Sequence, residues 1–176
     1  MKNHIGKFIC LILRHKPNSI GISLDENGWA NTQELLNGLN SAGNKINMEQ
    51  LIHIVDTDNK HRFSFNENKS KIRANQGHSL PINLGLVETV PPAILYHGTS
   101  VKFIDSIKLN GILKKSRQYI HLSSNKETAI SVGSRHGKPI VLEINAMQMF
   151  LDGYKFYLSE NLVWLTDNVP YQYILS

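Results

Sequence analysis

Arg62-Phe63-Ser64-Phe65-Asn66-Glu67-Asn68-Lys69-Ser70-Lys71-Ile72-Arg73-Ala74 sets an apolar–polar alternation, a polar turn and a second short run in succession. That order predicts a hairpin turning at Asn66 to Lys69. Three helical patterns precede it. Ile5, Phe8, Ile9, Ile12 and Leu13 recur at helical spacing until Pro17 forces a stop, which leaves Arg14 and His15 at a helix C-terminus. After the turn signal Asp25-Glu26-Asn27-Gly28, Asn31 or Thr32 can cap a helix through Leu39 with Leu35, Leu36 and Leu39 on its apolar face. A third helix is expected from near Asn47, with Met48, Leu51, Ile52 and Val55 inward and Asp56 to Lys60 as its polar end.

Three short helices followed by a hairpin is the pattern of a winged helix. Leu80 to Pro92 then has two prolines at its end, one near its start and little periodicity, which suits a linker. The boundary placed there divides the chain into 1–85 and 86–176. The second half is richer in strands: Ile94-Leu95-Tyr96-His97, Tyr119-Ile120-His121-Leu122, Pro139 to Ile144, Phe156-Tyr157-Leu158 and Val163-Trp164-Leu165. Ser100 to Leu109 is predicted as a helix closed by Asn110-Gly111, and Thr128 to Ser134 as a short helix at most. The whole is an α+β chain without repeats.

The 176 residues with 41% hydrophobic content make an ordinary globular chain. Nineteen Lys and Arg against 14 Asp and Glu give a formal charge of +5, a bias toward a polyanionic partner that many basic proteins share without binding nucleic acid. The one cysteine, Cys10, sits among Phe8, Ile9, Leu11 and Ile12 and reads as a buried apolar thiol. It excludes an internal disulfide, and no Cys–His spacing suggests a structural metal. His4, Lys7 and Arg14 interrupt the N-terminal apolar run and no stretch approaches a membrane span, so a cytoplasmic protein is expected.

Basic residues fall where elements end or turn: Arg14 and His15, Arg62 in Lys60-His61-Arg62-Phe63, and Arg135 in Gly133-Ser134-Arg135-His136-Gly137. Converging guanidinium groups bind phosphate oxygens bidentately, and a histidine adds a hydrogen bond or a proton. An arginine at a helix end equally serves the helix dipole or lies in solvent. Tyr96-His97-Gly98-Thr99-Ser100 reads as a strand end opening a helix, where backbone N–H groups and a hydroxyl can receive a phosphate and Gly98 lets a ligand come close; a plain capped helix start fits as well. His121 with Leu122-Ser123-Ser124 repeats that arrangement. No G-x-G-x-x-G follows a strand and no P-loop is present, so neither a Rossmann domain nor a nucleoside triphosphatase is supported.

Leu13-Arg14-His15-Lys16-Pro17, Leu24-Asp25-Glu26-Asn27-Gly28-Trp29, Lys60-His61-Arg62-Phe63 and Ile72-Arg73-Ala74-Asn75-Gln76-Gly77-His78-Ser79 resemble, in that order, runs of the NAD-dependent RNA 2'-phosphotransferase family. Tyr96-His97-Gly98-Thr99, His121-Leu122-Ser123, Gly133 to Pro139 and Val163-Trp164-Leu165-Thr166 extend the likeness over nearly the whole chain. The resemblance implies an N-terminal winged-helix lobe, a C-terminal ADP-ribosyltransferase-like lobe and an active site in the cleft between them. It implies a metal-free reaction with NAD as co-substrate. A 2'-phosphate oxygen of RNA displaces nicotinamide, giving an ADP-ribosylated RNA phosphate; the ribose 2''-hydroxyl then attacks phosphorus, releasing 2'-OH RNA and ADP-ribose 1'',2''-cyclic phosphate.

By the same resemblance Arg14, His15, Arg62 and Arg135 are the catalytic set, the arginines offsetting phosphorane charge and His15 either donating to a phosphate oxygen or assisting the leaving 2'-hydroxyl. His97, Gly98, Thr99, His121, Ser123, Asn161 and Val163 match the NAD side. Arg73, Gln76, His78 and Ser79, with Gly77, match a signature assigned to RNA contact and lobe packing. Glu160 lies near the third NAD position without occupying it, which suits a nucleophile already ionised near neutral pH. Where the family usually has Asn-Gly-Val-Trp this chain has Asn161-Leu162-Val163-Trp164, so a different local backbone is expected there. The implied partner is a tRNA-like RNA bearing a 2'-phosphate, handled by a monomer. The main alternative is an ADP-ribosyltransferase acting on a nucleic-acid terminal phosphate or on protein; a non-enzymatic winged-helix binder would leave His97, His121 and Arg135 without a purpose.

Overall fold

The computed structural model describes residues 2–175, which form a mixed α/β chain with six α-helices and several small sheets. The chain divides into two compact units, Met1–Gly85 and Leu86–Ser176, each with its own apolar core.

In the first unit α1 (Lys2–Arg14) buries Ile9, Ile12 and Leu13 completely. Pro17 opens a single 3-10 turn, Pro17–Ile20, as a residue lacking an N–H and fixed near helical φ should. A short strand β1 (Trp29–Asn31) runs straight into α2 (Thr32–Ser41), where the Asn31 side chain accepts the Glu34 N–H at 3.0 Å. Helix α3 (Met48–Asp56) opens with a reciprocal capping box between Asn47 and Gln50. Each such cap contributes about 1 kcal/mol. The expected hairpin is present as β2 (Phe63–Phe65) and β3 (Lys71–Ala74), and β1 adds antiparallel to the other edge of β3, pairing Trp29 with Arg73. That third strand is invisible to sequence periodicity because it is three residues long. It is placed by the preceding turn, in which the Asp25 carboxylate accepts the Asn27 and Trp29 N–H groups and Gly28 takes φ +80°.

In the second unit β4 (Ile94–Ser100) and β7 (Pro139–Asn145) pair antiparallel over seven residues. After β4 come α4 (Ile104–Asn110) and the short β5 (Ile112–Leu113); then β6 (Ile120–Leu122), α5 (Lys126–Gly133) and, beyond β7, α6 (Ala146–Leu151). The chain closes with β8 (Phe156–Leu158), β9 (Trp164–Thr166) and β10 (Asn168–Val169), in a three-stranded sheet ordered β6-β9-β8 and a β10–β5 pair. Reciprocal 2.8 Å bonds between the Tyr96 and Ser123 backbones tie β4 to the end of β6.

The helix expected from Ser100 to Leu109 is corrected. Strand β4 runs on through Ser100, a 3-10 turn follows at Val101–Phe103, and α4 begins only at Ile104. Gly98, Thr99 and Ser100 are buried and paired with Val141, Ile140 and Pro139. Helix α5 explains their extension. A Cβ on Gly98 would fall on the carbonyl of Ala129, and one on Gly133 would meet the Thr99 carbonyl oxygen at 2.5 Å. What approaches Gly98 is therefore a helix backbone. The linker is also more ordered than its composition suggests: Asn83 donates to the Glu26 carbonyl and Thr89 to that of Phe156.

Leu162 adopts φ +59° with its side chain 72% exposed, in a turn closed by its N–H on the Ser159 carbonyl at 2.9 Å. The left-handed turn that glycine would favour is thus kept despite the leucine. Leu162→Gly should stabilise the second unit by about 0.5–1 kcal/mol, since relief of left-handed strain exceeds the added unfolded-state entropy. A thermal melt with unchanged or lowered Tm would rule this out.

Candidate active site

Two groups of the expected residues assemble, one within each unit. In the first, Gly6, Cys10 and Arg14 recur four residues apart along one face of α1. The Arg62 Nη2 lies over Gly6, 3.5 Å from where a Cβ would stand, and both Arg14 and Arg62 act electrostatically on Cys10. Arg14 and Arg62 are thereby brought together, with His15 next to Arg14 in the chain. Cys10 is half-buried; burial pushes its thiol up more than the two arginines pull it down, so it is a poor nucleophile.

Arg62 is fixed by Asp58, a carboxylate that no local sequence signal marks. Asp58, 8% exposed, accepts from Arg62 Nε at 3.0 Å, from Nη2 at 2.6 Å and from the Arg62 backbone N–H at 2.6 Å. Burial raises the Asp58 carboxyl, but the hydrogen bonds and charge of Arg62 outweigh it and hold it below its ordinary value; the same pairing raises Arg62. Asn75 completes the clamp, donating its backbone N–H to the Arg62 carbonyl at 2.9 Å and its amide to the His61 carbonyl at 2.8 Å, while His61 sits at φ +43°. Beyond the Asp58 bonds, the guanidinium also interacts with the Cys10 thiol.

Arg14 is the last residue of α1, and its carbonyl accepts the Ser79 N–H at 3.1 Å. Gly77, at φ +91°, brings backbone against the Arg14 guanidinium: a Cβ there would stand 3.3 Å from Nη1. His15 Nδ1 bonds the Ser79 hydroxyl at 2.9 Å. His78 departs from its expected role. It is 1% exposed and so offers no surface to RNA; burial first, then the charges of Arg14, His15 and Arg73, lower its pKa to about 4. Arg73 stacks over the Trp29 ring at 4.5 Å, and Gln76 is half-buried.

In the second unit His97 on β4 and His121 on β6 are joined by a 3.1 Å bond from His97 Nδ1 to the His121 carbonyl. A carbonyl only accepts, so His97 Nδ1 carries the proton. Burial keeps the ring neutral by lowering its pKa, which leaves Nε2 as an acceptor. Arg117 Nη1 lies 2.8 Å from His121 Nδ1. Arginine only donates, so that nitrogen accepts and the His121 proton resides on Nε2. The two rings therefore hold opposite tautomers, protonated on Nδ1 in His97 and on Nε2 in His121.

Arg117 was not singled out by sequence, because nothing local marks it; it reaches the site through the turn in which its N–H bonds the Lys114 carbonyl at 3.0 Å. Desolvation of its guanidinium and the like charge of Arg135 lower its pKa. Arg135 is exposed on the 3-10 turn Ser134–His136. Ser123 is half-buried at the Tyr96 bridge, its Oγ accepting the Asn125 N–H at 3.0 Å. Gly98 and Thr99 lie buried under α5 and so do not form the exposed phosphate-receiving helix start expected of them. Asn161 and Val163 both hang on buried Ser159, whose hydroxyl bonds Asn161 Oδ1 at 2.9 Å and the Val163 carbonyl at 3.0 Å.

Chemically, the first group is an array of guanidinium donors with one adjoining imidazole, suited to a phosphate. The second offers a fixed donor and acceptor beside cations, suited to a ribose diol and a phosphate. Two outcomes follow from the first group. Asp58→Asn should cost the first unit about 2 kcal/mol in denaturant unfolding, the worth of a hydrogen-bonded charge; no loss would remove Asp58 as the anchor of Arg62. His78, neutral when folded, contributes stability that is complete above its ordinary pKa of 6.5 and lost as pH falls toward about 4. At full extent that is roughly 3 kcal/mol, and His78→Leu should flatten the decline of stability between pH 7 and pH 4; an unchanged slope would contradict it.

A family model described as RNA 2'-phosphotransferase, Tpt1 / KptA family, matches residues 1–168. The chain is 58% identical over 171 residues to the probable RNA 2'-phosphotransferase of Fusobacterium nucleatum, covering 97% of this chain and 96% of that protein. It is 53% identical over 170 residues to the protein of the same description from Flavobacterium johnsoniae, with 97% and 93% covered, and 47% identical over 172 residues to that of Acaryochloris marina, with 98% and 95% covered. Similarity of this degree, running the length of both partners in each comparison, means that the chain belongs to the RNA 2'-phosphotransferase family.

Proposed function

We propose that the protein removes an internal 2'-phosphate from RNA by transferring it to NAD. The first unit acts as a winged-helix RNA-binding lobe and the second as an ADP-ribosyltransferase-like lobe. The observation that carries the reading is the complementary pair of His97 and His121, with fixed opposite tautomers and Arg117 bonded to the second. A donor beside an acceptor matches two neighbouring ribose hydroxyls, and Arg117 with Arg135 supplies charge for phosphate. NAD as co-substrate supplies the ribose carbon from which nicotinamide departs.

The reaction balances in two displacements. In the first, a 2'-phosphate oxygen forms a bond to that carbon and the carbon–nitrogen bond to nicotinamide breaks. In the second, the ribose 2''-hydroxyl loses its proton and bonds phosphorus, while the bond from phosphorus to the RNA 2'-oxygen breaks and that oxygen gains a proton. Arg14 and Arg62 hold the phosphate oxygens as charge gathers on phosphorus, and the bonds from Arg62 to Asp58 keep it from reorganising during the step. His15, half-buried and oriented by Ser79, moves the proton or donates to the phosphate. Arg73, Gln76 and Ser79 contact RNA beside them, whereas His78 packs beneath.

The test follows a radiolabelled internal 2'-phosphate in RNA, with and without NAD. Label should move only with NAD, into ADP-ribose cyclic phosphate, and Arg14→Ala, His15→Ala, Arg62→Ala and Arg117→Ala should each lower kcat by ~10²–10³. Arg135→Ala, exposed and one step further from the histidines, should cost less. Release of nicotinamide with label still on RNA would favour the ADP-ribosyltransferase alternative, and no reaction in either channel would overturn the proposal.

A further inference from the structure

In the four-residue turn Lys114-Lys115-Ser116-Arg117, Arg117 bonds His121 and Lys115 lies over the ring of Phe103. Lys115 Nζ stands 4.9 Å from the Phe103 centroid, and Lys102 Nζ stands 4.9 Å from the same centroid. One ring thus gathers two ammonium groups to within about a Debye length of each other at physiological salt. Neither lysine forms an ion pair among the described residues, although Asp105 is three residues beyond Lys102. Lys114, by contrast, is satisfied by Asp167 at 3.0 Å. Both ammonium groups belong to exposed residues, and Lys115 reaches its place through a left-handed backbone, φ +52°.

Each cation–π contact is worth only ~0.5–1 kcal/mol at an exposed site, so the ring orients the ammonium groups without saturating them. Two oriented like charges repel, and an anion lying across them relieves that repulsion. Two exposed ammonium groups over one ring, with no carboxylate partner among the described residues, fit a nucleic-acid backbone. The same turn carries Arg117, which bonds His121.

We propose that Lys102, Phe103 and Lys115 form a docking surface for the phosphate backbone of the RNA substrate, beyond the nucleotide that reacts. The inference rests on the proposed reaction only for its choice of polyanion. The surface holds the strand and takes no part in chemistry, so its effect grows with RNA length.

The full chain and the double variant Lys102→Gln, Lys115→Gln, which keeps the stems and removes both charges, are compared on two RNAs with NAD present. One is a dinucleotide bearing a 2'-phosphate; the other carries several nucleotides on either side of it. For the long RNA the variant should bind about tenfold more weakly, and the log–log slope of affinity against salt should fall by about 1.4, the release expected from two single-strand phosphate contacts. The kcat and KM for the dinucleotide and the KM for NAD should be unchanged, and the melting temperature should move by no more than a few degrees. Long-RNA affinity and slope equal to those of the parent would overturn the proposal. So would a loss of equal size on the dinucleotide, or one that follows NAD concentration, since the lysines would then serve the reacting groups. If the parent turns over neither RNA, the proposed reaction fails, while the length and salt dependence of binding still decides the surface.

Discussion

The second unit depends on how closely helix α5 lies against strand β4. Their backbones touch at Gly98 and Gly133, where any side chain would collide with a carbonyl. Contact this close holds Gly98 to Ser100 extended and dry, so β4 continues as a full partner of β7. The strand end is then rigid where it meets Ser123, and His97 is presented to the His121 carbonyl. Arg117 in turn has a fixed ring nitrogen to bond. The His97 tautomer thus sits beside a packing contact at the neighbouring residue, while that of His121 is set by Arg117.

Charge sets the corresponding constraint in the first unit. Arg14, Arg62 and Arg73 lie near one another's neighbours, and a single buried carboxylate, Asp58, is bonded into the group. Desolvating a cation is costly unless hydrogen bonds replace the lost water. Arg62 meets that condition through Asp58, and Arg73 through the face of Trp29. His78 meets it by not being charged at all: packed among cations, it remains neutral and fills space that a second ammonium or imidazolium could not occupy.

Much of the first unit is legible in sequence because its signals are local. Asn31 and Asn47 announce helix starts, Pro17 an end, and the alternation at Phe63-Ser64-Phe65 a strand. Strand β1 is not, since three residues carry no period and its pairing is set by the Asp25 turn. Gly98 was legible as a position that tolerates no side chain, but not as to what approaches it, because that depends on a helix thirty residues later in the chain. Asp58 and Arg117 were missed for the same reason: each is an ordinary surface-type residue whose partner, a guanidinium across a loop or an imidazole on the next strand, exists only after folding. Leu162 shows the reverse, a rule of local conformation overridden by the bonds that Ser159 makes around it.

A common logic links these departures. Burial and then the nearby charge of Arg135 disfavour protonation of Arg117, burial and then the surrounding cations keep His78 neutral, and Lys102 shares a ring with Lys115. Each arrangement is less favourable in the free protein than scattered charges would be, because like charges gathered in partly dry places repel. An anion that binds only the folded state reverses that balance and stabilises the fold as its concentration rises above its Kd. These positive groups are thus held together by the fold itself, without any anion present.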